Sequence, residues 1–136
     1  MNDREKLIRK LDIWFSKYIR LRDVGENGYF RCISCQRVLS YEYMDCGHYI
    51  PRTNMATRFD EKNCNGQCVT CNRIKLGNSR EYRAGMLLKY GGADVLVLEA
   101  RKTAMKSWSR YELEGLIEYY KQEVKRLRKQ KPLVRI

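Results

Sequence analysis

Four of the six cysteines form two C-x2-C pairs, made by Cys32, Cys35, Cys68 and Cys71. Each pair can place two thiolates on one turn, and two such pairs complete the tetrahedral four-sulfur shell that Zn²⁺ prefers. Disulfides are opposed in a reducing cytosol, and a set of ordinary buried cysteines seldom yields two matched pairs. The sequence therefore predicts one structural zinc ion.

The other two cysteines, Cys46 and Cys64, are then expected to be buried or unligated thiols. Two alternatives remain at this point, because Cys64 can replace Cys68 in the shell and His48 can serve as a fourth ligand. Residues 36–67 separate the two pairs, and His48 lies within that insert.

His48 is the only histidine and lies in "DCGHYIP", residues 45–51. One interpretation of His48 is a structural residue whose hydrogen bonds are satisfied within the fold. With four cysteines saturating the zinc, however, the imidazole is available as a general base of near-neutral pKa, which phosphodiester hydrolysis requires. The same reaction needs a divalent metal, and the oxygens of Asp45 and Asn72 are ligands that Mg²⁺ accepts.

The formal charge of +12 indicates a polyanionic partner, and nucleic acid is favoured over an acidic membrane because no lipidation motif is present. The N-terminal residues have no signal-peptide core and no segment is apolar enough to span a membrane, so we expect a cytoplasmic protein. Basic residues near the motif and in the last helix are candidates for DNA phosphates, although each alone can be a solvated surface charge: Arg52, Arg58, Arg73, Lys75, Arg80, Lys125, Arg126, Arg128, Lys129.

Periodicity predicts a single α+β domain in three parts. An amphipathic helix over 3–22 fills the first part, 1–28. The second part, 29–78, contains a cysteine knuckle and β-hairpin over 29–50, a loop over 51–67 and the opening of a short helix. The third part, 79–136, contains helices over about 79–90 and 93–104 and a long one over 109–130, which starts with an S-x-x-E capping box and ends in a basic tail.

The order C-x2-C, D-x2-H-x2-P, Asn63, C-x2-C-N resembles the HNH, or ββα-metal, nuclease superfamily. Within it, "DCGHYIPR", "TRF", "NCNGQCVTCNRIKLGN" and "EYR" resemble the phage NinG/Rap recombination nucleases, and the C-x2-C-N element is similar to the junction-resolving endonuclease VII. The resemblance covers nearly the whole chain. One departure is Gly47, which stands where an aspartate usually precedes the histidine, so that the acidic residue is displaced to Asp45.

The resemblance implies a zinc-stabilised ββα-metal core between terminal helices, with His48 as base and Mg²⁺ or Mn²⁺ held by Asn72 and Asp45. It assigns Asn63 the task of tethering the loop and orienting the imidazole, where the alternative is a turn residue. The implied activity is structure-selective cleavage of Holliday junctions and D-loops. A non-catalytic zinc-stabilised DNA-binding module and a homing or restriction nuclease are the alternatives.

Resolving a four-way junction needs two symmetric incisions, whereas the chain carries one such motif, so we expect a homodimer. The candidate interfaces are the apolar stripes of the first and last helices. Either stripe can instead cover the domain's own core. The stripe residues are Trp14, Phe15 and Tyr18, and Leu113, Leu116, Ile117, Tyr120, Val124 and Leu127.

Overall fold

The computed structural model describes residues 1–136, in which long helices stand at both ends. Helix α1 spans Asp3–Asp23 and helix α4 spans Arg110–Gln130. Both begin with a capping box. The cap side chain (Asn2 or Ser109) accepts a hydrogen bond from the third backbone N–H of the helix, and the glutamate side chain at that third position accepts one from the backbone N–H of the cap residue. The structure confirms the predicted helices, including the one that starts after Ser109.

The apolar faces of α1 and α4 pack against each other and against the strands. The rings of Phe15 and Tyr120 meet edge to face with centroids 5.0 Å apart, and Leu11 and Leu113 are fully buried. Burying one such leucine contributes about 1.5–3 kcal/mol, so the two faces stabilise each other strongly. These stripes therefore cover the domain's own core, which is the alternative that the sequence left open for each helix.

Two antiparallel strand pairs lie between the helices. Strand β1 (Tyr29–Arg31) pairs with β2 (Val38–Ser40), and this hairpin confirms the knuckle and hairpin predicted after residue 29. A 3₁₀ turn over Tyr41–Tyr43 leads into β3 (Met44–His48), which pairs with β4 (Cys64–Cys68).

Strand β4 corrects the predicted loop over 51–67, because residues 64–67 are paired in a ladder. The segment carries no apolar alternation. Its buried polar side chains, Asn65 and Gln67, donate tertiary hydrogen bonds to Tyr82 and Ser34 instead. Tertiary contacts thus override a local composition that is typical of turns.

The register of β3 and β4 fixes which side chains share a face. His48 pairs with Cys64 and Asp45 pairs with Gln67, without a bulge. Because successive side chains point to opposite faces of a strand, Cys46 and His48 share one face and Asp45 lies on the other.

After β4 the chain makes a π-helical turn over Thr70–Ile74, then α2 (Ser79–Tyr90) and α3 (Gly92–Ala100). Gly91 separates the two helices with a φ of 87°, a backbone conformation that favours glycine. Helix α3 ends four residues before the predicted limit of 104, because the chain there turns through i to i+3 hydrogen bonds and Arg101 pairs with Asp60. No helix is both long enough and apolar enough to cross a membrane.

Candidate functional site

The four sulfurs of Cys32, Cys35, Cys68 and Cys71 lie within 4.8 Å of one another. Cys32 follows β1, Cys68 ends β4, and Cys71 lies in the π-helical turn, so that the two strand pairs and the turn meet at this cluster. Such a group of four thiols is able to hold one zinc ion.

Hydrogen bonds to the sulfurs support this ligand set. The backbone N–H of Cys68 donates to the Cys32 Sγ at 3.3 Å, and the N–H of Cys71 donates to the Cys68 Sγ at 3.4 Å. Burial raises the pKa of Cys32, and raises that of Cys68 to about 12, so that thiolates at these positions need a neighbouring cation. The chemistry of the cluster therefore fits Zn²⁺.

The carboxylate of Asp45 meets the side chain that follows the last cysteine. The Asn72 Nδ2 donates to the Asp45 Oδ2 at 2.9 Å, and Arg73 binds the same carboxylate through two nitrogens at 2.9 and 2.8 Å. The Asp45 side chain is 15% exposed, whereas that of Arg73 is 66% exposed. The structure thus brings together the two residues expected to hold a catalytic metal, and the exposed guanidinium of Arg73 is paired with their carboxylate.

Gln67 lies opposite Asp45 in the ladder and was not anticipated from the sequence. Its Nε2 donates to the Ser34 Oγ at 2.9 Å and to the Gly77 carbonyl at 2.7 Å, while its Oε1 is buried without a hydrogen-bond partner. The Gln67 side chain lies on the same face of the hairpin as Asp45, and its unpartnered oxygen lies against Gly47.

Gln67 also explains why glycine precedes the histidine. A Cβ built on Gly47 lies 2.1 Å from the Gln67 Oε1 and 2.9 Å from its Cβ. No side chain fits there without displacing a fully buried residue. The acidic group on this face is consequently supplied two residues earlier, by Asp45.

The His48 imidazole is fixed by a backbone carbonyl that no sequence pattern marks. Its Nε2 lies 3.0 Å from the Arg58 carbonyl oxygen. Since a carbonyl only accepts, Nε2 must carry the hydrogen, which leaves the lone pair of the neutral ring on Nδ1. Burial lowers the pKa of His48, a shift that the Arg58 carbonyl partly opposes, so the ring is neutral at physiological pH.

His48 does not share a face with Asp45. It lies instead with Cys46 and Cys64, whose sulfurs and one imidazole nitrogen are all within 4.8 Å of one another. Cys64 is fully buried and Cys46 partly so, consistent with the expectation of buried or unligated thiols. The residues predicted for one site thus form two groups, one on each face of the β3–β4 hairpin.

Asn63 tethers the loop between the strands through three bonds. Its Oδ1 accepts from the Ile50 N–H at 2.8 Å, and its Nδ2 donates to the carbonyls of Ile50 at 3.0 Å and Thr57 at 3.1 Å. The side chain is fully buried and makes no hydrogen bond to the imidazole. Its position supports the tether, while the ring is oriented by Arg58.

The expected DNA-contacting residues fall into three groups. Arg58 pairs with Asp12 at 2.5 Å and is only 14% exposed, so its guanidinium braces the loop and is not offered to phosphates. Others are exposed but engaged, Arg52 with Asp12, Arg73 with Asp45, Arg126 with Glu123 and Arg128 with the Ile136 carbonyl. Four are exposed and form no ion pair: Lys75, Arg80, Lys125, Lys129.

Comparison with known proteins gives several phage relatives. The chain is 38% identical over 100 residues to the Protein ninG of Salmonella phage P22 and 36% identical over 100 residues to that of Escherichia phage lambda. Each match covers 71% of this chain and 47% of the relative, so the chain spans about half the length of these curated relatives. No solved structure matches the chain. Residues 1–130 match the family model described as Bacteriophage Lambda NinG protein, and the chain therefore belongs to the NinG family.

Proposed function

We propose that this protein is a metal-dependent endonuclease that cleaves branched DNA, such as Holliday junctions and D-loops, by hydrolysing a phosphodiester bond. The observation that carries the proposal is the 2.9 Å contact between Asp45 and Asn72, two oxygen-bearing residues that are 27 positions apart in the chain. They meet beside a four-cysteine cluster that fits zinc. The resemblance to HNH nucleases pairs these two residues as ligands of the catalytic metal.

The chain's own residues divide the work as follows. Asp45 and Asn72 would hold Mg²⁺ or Mn²⁺, which would offset the charge that develops on the phosphate and the leaving oxygen. His48, neutral and with its lone pair on Nδ1, accepts the proton of the attacking water. With the carboxylate engaged in this way, the exposed guanidinium of Arg73 would be available to contact a DNA phosphate.

Branched DNA is favoured as the substrate because the chain offers charge without an evident base-reading element. The exposed lysines Lys75, Lys125 and Lys129 suit a sequence-independent grip on phosphates. Two symmetric incisions require two copies of the site, so we propose a homodimer on the junction. Its contact must use surfaces other than the apolar stripes of α1 and α4, since these are buried within the chain.

A second candidate is a zinc-stabilised DNA-binding module without catalysis. Two observations favour it: Asp45 is already neutralised by Arg73, and the His48 imidazole lies on the opposite face of the hairpin from that carboxylate. This candidate needs the four-cysteine centre and the basic surface alone.

The deciding experiment incubates pure protein with labelled four-way junctions, D-loops and linear duplex of matched sequence. We expect nicks in the branched substrates with Mg²⁺ or Mn²⁺ and none without added metal, and loss of cleavage in Asn72→Ala, Asp45→Asn and His48→Ala. Gln122→Ala, an exposed change on α4, is the matched control. Zinc is measured after any chelator treatment, because loss of structural zinc abolishes activity by unfolding.

The outcomes separate the candidates. DNA binding without cleavage under every metal condition supports the non-catalytic module. Cleavage of the linear duplex at the same rate as the branched substrates would refute the structure selectivity. A wild-type cleavage rate in His48→Ala would show that this residue has a structural role only.

A further inference from the structure

Cys46, His48 and Cys64 form a group of ligands that the proposed cleavage reaction does not explain. Their two sulfurs and one imidazole nitrogen lie within 4.8 Å of one another, in a set that shares no member with the four-cysteine cluster. His48 and Cys64 are direct partners in the β3–β4 ladder, and Cys46 lies two residues before His48 on the same face. The cluster is thus held by a regular strand pair rather than by a flexible loop.

We propose that Cys46, His48 and Cys64 form a second metal site, specific for soft divalent cations such as Zn²⁺, and that its occupation switches the protein's cleavage activity off. The binding half of the proposal stands on the cluster alone. The regulatory half rests on the proposed function, because it requires His48 to act as the base.

The ligand types decide which cation the site takes. Two thiolates and an imidazole are donors that Zn²⁺ binds well, and three protein ligands with an open fourth position are a common zinc arrangement. Mg²⁺ prefers oxygen donors, so we expect it to bind the oxygens of Asp45 and Asn72 more tightly than this cluster. The two faces of the hairpin therefore sort metals by hardness, with oxygen donors on one face and sulfur and nitrogen donors on the other.

The surroundings indicate how the ion enters and how the ligands are held. Cys46 and His48 are partly exposed and give access, while Cys64 is fully buried at the floor. The Arg58 carbonyl oxygen lies 3.0 Å from the His48 Nε2 and 3.6 Å from the Cys64 Sγ, so one backbone atom orients two of the three ligands.

Binding is a proton exchange with a simple balance. Zn²⁺ replaces the two thiol protons, forms two Zn–S bonds and one Zn–N bond, and releases two protons to water. Because only two thiolates neutralise the ion, in place of four, affinity falls below that of the four-cysteine centre. The structural site fills first, and the second fills only when free zinc rises.

Once zinc is bound, the imidazole cannot accept a proton through the nitrogen that binds the metal. An increase in free zinc would in this way stop His48 from acting as a base, and so inhibit cleavage, without unfolding the chain. The strand pair stays intact because the ligands are already within reach of one another.

The binding half is tested by zinc stoichiometry under reducing conditions. Wild-type protein and its variants are equilibrated with excess Zn²⁺, passed through a desalting column, and analysed for zinc and protein. We expect about two ions per chain for wild type and about one for Cys46→Ala and Cys64→Ala. Asp45→Asn, which changes the opposite face, is the control and keeps about two ions.

A spectrum identifies the ligands independently of any activity. Titration with Co²⁺ should give strong thiolate bands with the first equivalent and weaker ones with the second, because two sulfurs replace four. Circular dichroism shows whether the variants fold. If Cys64→Ala does not fold because the residue is buried, Cys46→Ala still decides the test. One zinc ion per wild-type chain, or two in both cysteine variants, overturns the site.

The regulatory half is tested by adding zinc to the cleavage assay at fixed Mg²⁺. Each protein is compared with its own rate without added zinc. We expect inhibition of wild type, and an inhibitory concentration at least about tenfold higher for Cys46→Ala. If the second ion binds and an active enzyme is not inhibited, the switch is refuted. If no cleavage is found at all, the proposed function fails, while the stoichiometry still decides the site.

Discussion

Replacing Asn63 by alanine should weaken the fold far more than a typical polar substitution. The change removes three hydrogen bonds and leaves the Ile50 N–H, the Ile50 carbonyl and the Thr57 carbonyl without partners in a region where both residues are buried. An unsatisfied buried group costs about 1–3 kcal/mol, so three at the lower end of that range sum to about 3 kcal/mol. Domains of this kind have about 5–15 kcal/mol in total, so the loss is a large fraction of the stability.

Urea unfolding of zinc-saturated protein measures this effect. With a slope of about 1–3 kcal/mol per molar urea, the midpoint should fall by about 1–3 M at an unchanged slope. Asn63→Asp should also be destabilised, because a carboxylate would then face two carbonyl oxygens. The control Gln122→Ala, which removes an exposed bond to Glu118, should stay within about 0.5 kcal/mol of wild type. Coinciding midpoints for Asn63→Ala and wild type would refute the tether.

Three further outcomes are expected. Cys68→Ser should lose zinc and helical circular dichroism together, because a structural zinc ion supplies about 10–16 kcal/mol of folding free energy. His48→Ala should cut cleavage by about 10²–10⁴ while changing DNA affinity little, as gel shifts beside single-turnover rates would show. Burial raises the pKa of Asp23, but Arg22 and Lys89 outweigh it and hold that pKa below its usual range. Its stabilisation is therefore present above about pH 4 and lost as pH falls further. In Asp23→Asn, the free energy of unfolding measured in urea should therefore decrease less than in wild type as the pH falls below about 4.

Elements with strong local signals were predictable from the sequence. The capping residues Asn2 and Ser109 and the apolar spacing after them are sufficient to define α1 and α4, because those bonds are made within one turn. The two C-x2-C pairs likewise define a four-thiol group, since zinc chemistry restricts where such pairs can lie.

Strand β4 and the division of the site were not predictable in this way. The strand has no apolar alternation, because Asn65 and Gln67 are buried through bonds to distant residues such as Tyr82 and Ser34. The faces of Asp45 and His48 follow only from a register that the sequence does not display. The Arg58 carbonyl that fixes the imidazole is a backbone atom, and a backbone atom leaves no mark on the sequence.

The pairing of α1 with α4 has a consequence for how the chain is made. Residues 24–109 separate the two helices, yet each is the main cover for the other's apolar face. During synthesis α1 leaves the ribosome first and must wait, with Leu11 and Phe15 uncovered, until α4 has emerged. The cysteine cluster is complete by residue 71, so a metal-bound centre can form in the meantime and shorten the remaining search. Chains that stall between these two events would expose an apolar helix beside a finished metal centre, and they are the species that we expect chaperones and proteases to encounter.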